Sequence, residues 1–179
     1  MALKASIYKA ELQISDMDRN YYQSHPLTIA RHPSENEERM MVRLLAFIRH
    51  ADERLSFTKG ISTDDEPDIW QLSLSGEIEC WIELGQPDEK RIRKACGRAR
   101  EVYIYLYSGH GAEIWWEQMA QKLSSINNLH IYNLPANQRE QLSQMVQKNM
   151  ALQATIQDEE IWLSSGELSA TINLQCWKE

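Results

Sequence analysis

The feature that most constrains this chain is one strand–helix–strand succession near its middle. Residues 77 to 84 alternate, with Ile78, Cys80, Ile82 and Leu84 on one side and Glu77, Glu79, Trp81 and Glu83 on the other. That period of two marks a strand. Gly85-Gln86-Pro87 ends the run, and Asp88 and Glu89 open a helix that buries Ile92, Ala95, Cys96 and Ala99. The chain returns through Val102-Tyr103-Ile104-Tyr105-Leu106-Tyr107, apolar enough to lie centrally in a sheet. Such a succession predicts a βαβ crossover with parallel pairing.

Other elements assemble around this unit. Residues 4 to 14 alternate so that Tyr8, Leu12 and Ile14 face inward, and residues 26 to 30 form a second strand paired with the first. Ser34 is the expected cap of a helix with Glu35, Glu37 and Glu38 at its start. Met41, Leu44, Leu45 and Ile48 give that helix an inward stripe, and it ends near Ala51. Residues 69 to 74 and 77 to 84 read as a hairpin closed at Ser75-Gly76. After the crossover, a helix over 112 to 123 turns Ile114, Trp115 and Met119 inward. A short strand at 129 to 134 and a helix from Pro135 to about Asn149 follow. Strands near 150 to 156 and 168 to 176 flank Ile161-Trp162-Leu163 and a Ser165-Gly166 turn. The pair Ile69-Trp70 with Ser75-Gly76-Glu77 echoes Ile161-Trp162 with Ser165-Gly166-Glu167, but with a different gap, so these read as similar hairpins and not as a repeat. No Pro/Ser/Gly-rich linker interrupts the chain, and 179 residues suit one domain, 1–179, with one sizeable core.

Composition removes several function classes. No run approaches the roughly 20 apolar residues that span a bilayer, and no signal-like segment is present, so a cytoplasmic protein is expected. Cys80, Cys96 and Cys176 are too few and too scattered for a disulfide framework, and buried thiols are the expectation. The five histidines lack metal-ligand spacing, which argues against a zinc site. A net charge of -7 disfavours a nucleic-acid coat but leaves room for a local basic strip. Lys90, Arg91, Arg93, Lys94, Arg98 and Arg100 provide that strip along one helix.

Two carboxylates stand out. Asp68 follows Pro67 at a strand start, and Glu83 lies near the end of the next strand, so a hairpin can bring them together. Oxygen ligands of this kind suit Mg²⁺ (or Mn²⁺), which would lower the pKa of a bound water and stabilise charge on a phosphate. Simple alternation puts Asp68 on the face of Trp70, Leu72 and Leu74 and sets Glu83 opposite its own strand's apolar face. A bulge near Pro67 is therefore expected to reconcile them.

The runs ERMMVRLLAF (38–47), FTKGISTDDEPDIW (57–70) and WIELGQPDEKRIRKACGRA (81–99), with Ile114-Trp115-Trp116, resemble the YaeQ family of small bacterial proteins over nearly the full length. The resemblance implies an α/β fold: a mixed β-sheet with flanking helices, a PD-(D/E)xK nuclease-like core and N- and C-terminal strand additions. Asp68 matches the first acid of that pattern and Glu83 the second, while Gly85 occupies the lysine position. Relatives of the fold sometimes supply the missing cation from the following helix. Among Lys90, Arg91, Arg93 and Lys94, the i,i+4 pair Lys90 and Lys94 is the first choice. Gln86 would position or polarise, and Glu38 matches a frequent accessory acid, although Glu37 is as good by sequence. The implied function is Mg²⁺-dependent hydrolysis of nucleic-acid phosphodiesters. The alternative is a catalytically inactive nuclease-fold binding or regulatory protein. A monomer is compatible with either.

Gly109-His110-Gly111 before a helix suggests a phosphate cradle, but neither a P-loop nor GxGxxG accompanies it, so it reads as a plain strand-to-helix turn. Trp115-Trp116 suggests base stacking, but helical spacing makes at least one ring a core residue.

Overall fold

The computed structural model describes residues 4–59, 63 and 65–179; of the Lys59–Asp65 stretch, Gly60, Ile61, Ser62 and Asp64 lie outside the described residues. Among the described residues eleven strands form two mixed sheets accompanied by four helices, and the chain groups into two compact units.

The first unit joins Met1–Arg49 to Asn137–Leu174. Its strands are β1 (Ser6–Asp16), β2 (Tyr21–Arg31), β8 (Asn149–Gln157), β9 (Glu160–Ser165) and β10 (Leu168–Ile172), in the order β10-β9-β8-β1-β2. Tyr8, Ala10, Leu12 and Ile14 of β1 are buried at every second position, as the alternation predicts. β2 begins five residues earlier than the apolar run suggested. Its first half lacks a hydrophobic period and is held by full pairing to β1, down to Asp16 opposite Tyr21. As the edge strand of this sheet it tolerates Pro26. β1 also pairs with β8 in parallel, the contact that draws the C-terminal third of the chain into this unit.

Helix α1 (Glu37–Arg49) belongs to the same unit. Its cap is Asn36, whose Oδ1 accepts the Arg39 N–H at 2.7 Å, and not Ser34, whose hydroxyl bonds His32. Instead of a single inward stripe, Met40 through Ile48 are all buried, Arg43 included, the signature of a helix enclosed on all sides. Helix α4 (Ala136–Ser143) is shorter than expected. Chain with no resolved period runs on to β8.

The second unit comprises His50–Ala136 and Gln175–Glu179. Its sheet has the order β11-β7-β6-β5-β4-β3, from β3 (Leu55–Phe57), β4 (Ile69–Leu72), β5 (Ile78–Leu84), β6 (Ala99–Leu106), β7 (Leu129–Asn133) and β11 (Gln175–Lys178). β5, β6 and β7 are parallel, so the predicted crossover through α2 (Glu89–Arg98) is present. Helix α3 (His110–Leu123) makes the next crossover, and together the two helices cover one sheet face. The core there joins Trp81, Ile92, Ala95, Val102, Ile104, Trp115 and Met119. Trp115 is in this core, but Ile114 is 44% exposed, contrary to the inward assignment, because α3 is rotated to seat Trp115 and Met119. The expected strand over 168–176 is two strands: β10 pairs with β9 in the first unit and β11 with β7 in the second.

The thiols also depart from expectation. Cys176 is exposed, and Cys80 and Cys96 are half-buried. Burial and the Glu101 carboxylate push the Cys80 thiol up to about 12, so it is protonated and inert as a nucleophile at neutral pH. No helix among the described residues is long and apolar enough to cross a membrane.

Candidate active site at the carboxyl end of the β5 strand

β5 is an interior strand, flanked by β4 and β6, and its last four residues, Trp81 to Leu84, are all buried. Neither face is therefore a polar face. The register Ile69↔Ile82 and Trp70↔Trp81 brings Asp68, the residue immediately before β4, to the end of β5 that carries Glu83. The pairing departs from simple alternation where a bulge was expected: the Asp68 N–H bonds the carbonyl of Ile82, the residue already opposite Ile69. A further register shift lies between Gln71 and Leu72, at the opposite end of the hairpin. Alternation groups Glu83 with Trp81 as expected, but that side is not a solvent side, because the end of β5 is buried on both faces.

Asp68 is held rigidly. Its N–H donates to the Ile82 carbonyl at 3.1 Å, and its own carbonyl accepts from the Thr58 N–H at 3.2 Å. Its Oδ2 accepts the Leu84 N–H at 2.9 Å, so the side chain takes a place in the hydrogen-bond ladder. The Thr58 hydroxyl donates to the Pro67 carbonyl, which fixes the preceding residue as well. Both acids are only 5% exposed.

Glu83 receives one cation. Arg91 donates from Nε at 2.6 Å and approaches from Nη2 at 2.5 Å, both to Oε1, and Nη2 also reaches the Glu66 carbonyl at 3.1 Å. Burial nevertheless raises the Glu83 pKa. Arg91 opposes that rise, and the charge of Asp68 reinforces it. The Trp81 indole N–H lies near enough to favour the carboxylate, yet it is buried and closes no hydrogen bond of normal geometry.

The lysine position has a structural reason to be glycine. Gly85 has φ +97°, where L side chains are strained, and its N–H donates to the Tyr105 carbonyl at 2.9 Å. There is open space where a Cβ would sit, so the backbone conformation, not crowding, selects glycine. The turn lets Asp88 cap α2 by accepting the Arg91 N–H at 2.8 Å. Arg91 is thereby set on the first turn of α2.

The remaining expected site residues are placed differently. Gln86 donates from Nε2 to the Ser108 hydroxyl at 2.6 Å, bridging the loops that follow β5 and β6. Gly111 approaches closely there: a Cβ would stand 3.4 Å from that nitrogen. Lys90 is exposed and makes no ion pair or hydrogen bond among the described residues, while Lys94 pairs with Asp65 at 3.4 Å at the surface. The cation at Glu83 is Arg91. The signal that identifies it is its place on α2: Arg91 stands four residues before buried Ala95, whereas Lys90 and Lys94 both lie off that row. Glu38 lies in the first unit and pairs with Arg139 at 2.9 Å; Glu37 accepts from the Tyr8 hydroxyl at 3.2 Å. Much of the basic strip is engaged: Arg98 donates to the Asp65 carbonyl, and Arg93 bonds Glu89 and the Lys122 carbonyl.

Comparison with known proteins decides the family. The family model described as YaeQ protein matches residues 1–174. The chain belongs to the YaeQ family. The uncharacterized protein YaeQ of Salmonella typhi is 49% identical over 179 residues, covering 100% of this chain and 99% of the relative; that of Escherichia coli (strain K12) is 48% identical with the same coverage. The crystal structure of the YaeQ protein from Xanthomonas axonopodis pv. citri superposes with a TM-score of 0.94 at 45% identity, covering 97% of this chain and 98% of that one. The YaeQ protein from Pseudomonas syringae gives 0.93 at 32% identity, covering 98% and 97%. The mixed α/β architecture with two sheets is thus that of solved YaeQ structures.

Asp68 and Glu83 are oxygen donors, the type that a hard cation such as Mg²⁺ takes. The two carboxylates are near enough that the Asp68 charge acts on Glu83, and Mg²⁺ takes one or two protein carboxylates with water completing its shell. Among the described residues no group of three or more His, Cys, Asp or Glu is gathered.

Proposed function

We propose that the protein is a Mg²⁺- or Mn²⁺-dependent phosphodiesterase acting on nucleic acid, built on a PD-(D/E)xK nuclease-like core in which Asp68 and Glu83 are the metal ligands. The observation that carries this reading is the fixed Asp68–Glu83 pair at the carboxyl end of β5. A carboxylate locked by the Leu84 N–H stands beside a second whose pKa burial raises. Groups perturbed by burial and a like charge mark functional sites more often than structural ones. The metal would supply an activated water and charge stabilisation. Asp68 and Glu83 hold and orient it, Gln86 holds the adjoining loops together, and Arg91 is the cation available to meet a phosphate oxygen. Lys90, unpaired at the mouth of α2, adds positive charge for a polyanion to approach, with Lys94 behind it. A cytoplasmic location is part of the same proposal.

The test is cleavage of labelled single- and double-stranded DNA and RNA at millimolar Mn²⁺. Turnover by the parent protein is expected, with loss of about 10²-fold or more in Asp68→Asn and Glu83→Gln. No cleavage above that of either variant on any of the four substrates would sink the enzyme reading.

A second reading has its own observation: Glu83 is already engaged by Arg91, and Gly85 denies the site a lysine. On that basis the fold would serve as a catalytically inactive binding or regulatory protein. It predicts nucleic-acid or protein binding that is indifferent to metal and unchanged in Asp68→Asn.

A further inference from the structure

The first unit carries a concavity that the carboxylate site does not use. It lies on the sheet face opposite Tyr8, Leu12 and Ile14 and has a volume of about 510 Å³, with Glu11, Gln13, Ser24, Gln153 and Ser164 in its lining. A second hollow of about 440 Å³ shares Gln13 and Ser24 and extends to Tyr22. The register arranges this face in rows. One row runs Ser164, Gln153, Gln13, Ser24 across β9, β8, β1 and β2; the next runs Trp162, Thr155, Ser15, Tyr22 across the same strands. An amide and hydroxyl row therefore lies alongside a row with an aromatic ring at each end. At ~4.8 Å per strand the two rings stand roughly 14 Å apart.

Three properties of the face select a ligand. Trp162 is 39% exposed and Tyr22 is 55% exposed, unusual for large rings on a sheet that has an apolar face elsewhere to bury them. The side chains of Gln13, Gln153, Ser24 and Ser164 make no hydrogen bond to any described residue, so their donors and acceptors face solvent and are open to a ligand. The charge is low and not basic: Lys9 and Glu11 offset each other on β1, and the β8–β9 turn adds Asp158, Glu159 and Glu160. A phosphate backbone would be repelled there. Aromatic faces that carry a negative quadrupole accept the C–H face of a sugar ring, and amides and hydroxyls match its equatorial hydroxyls.

We propose that this face is a binding site for a neutral oligosaccharide, spanning from Trp162 to Tyr22 and hydrogen-bonded by Gln13 and Gln153. The site is independent of the carboxylate pair and of the reaction proposed there.

The test titrates the full-length protein with maltohexaose, cellohexaose and chitohexaose, and with oligothymidylate as the charged control, by calorimetry and by tryptophan fluorescence. Saturable binding of one neutral series is expected. Trp162→Ala should weaken it about tenfold or more, Gln153→Ala should weaken it measurably, and Trp162→Phe should retain most of it. Both side chains are at the surface, so circular dichroism and melting temperature should match the parent. Absence of binding by all three sugars overturns the proposal. So does binding that Trp162→Ala leaves unchanged, and so does a preference for oligothymidylate that falls with salt.

Discussion

Two buried glutamates in this molecule sit in opposite electrostatic situations. Glu35, 3% exposed in the first unit, has a guanidinium on each oxygen: Arg39 Nη1 on Oε2 at 2.7 Å and Arg43 Nη2 on Oε1 at 2.8 Å. Glu83, 5% exposed in the second unit, has Arg91 on one oxygen only, and where Glu35 faces a second arginine it faces a second carboxylate. The first arrangement repays desolvation with charge-assisted bonds and ties α1 to the segment before it. The second leaves burial ahead of its compensation, which is why the Glu83 pKa rises. A carboxylate saturated by arginine is a fastener. One left short of positive charge is a place where a cation gains by binding.

The comparison can be broken most sharply at Glu35. Glu35→Gln leaves buried Arg43 without its anion, and urea denaturation should show a loss of about 3–5 kcal/mol. A variant as stable as the parent would show that Glu35 is no fastener. Next in size is the effect of metal. Mn²⁺ at a hundredfold excess over its Kd should stabilise the parent by about 2.7 kcal/mol, and Asp68→Asn or Glu83→Gln should erase the rise in melting temperature. A melting temperature flat across Mn²⁺ concentrations would remove the contrast between the two sites. Arg91→Ala should cost about 2 kcal/mol through its charged hydrogen bond to Glu83, whereas Lys90→Ala should stay within about 0.5 kcal/mol of the parent. Equal losses in the two would return Lys90 to the site.

The smallest effect is one of sign. Because the folded pKa of Glu83 is raised above its unfolded value, its protonation favours the native state, and that contribution is lost as pH rises through the folded value. Glu83→Gln, a neutral isostere, should therefore be slightly more stable than the metal-free parent at pH 7. The difference should vanish below the ordinary glutamate range near about 4.3. A variant less stable at pH 7 would show that the Arg91 bond outweighs desolvation.

Part of the local geometry was legible in the sequence. The approach of Asp68 to the Glu83 end of β5 follows from the hairpin between β4 and β5, and the capping of α2 by Asp88 follows from its position after Gly85-Gln86-Pro87. The cation was not picked out by residue type, since Lys90, Arg91, Arg93 and Lys94 lie on one short helix; only the spacing of Arg91 from the core residue Ala95 sets it apart. Nor was the face of Glu83, since alternation reports a solvent side and β5 has none at its end.

By itself the sequence determined the local elements: the alternating β1, the turn at Gly76 with φ +89° and the β5–α2–β6 crossover. These rest on interactions between residues a few positions apart, where periodicity and turn chemistry act directly. Tertiary structure alone decided that β8 joins β1 in parallel, that residues 168–176 divide between two sheets, and that α1 is buried all round with Arg43 inside it. Each of these depends on partners far away in the chain. A strand's free hydrogen-bonding edge accepts any neighbour of suitable register, so what covers a face or extends an edge is settled only when the whole chain packs.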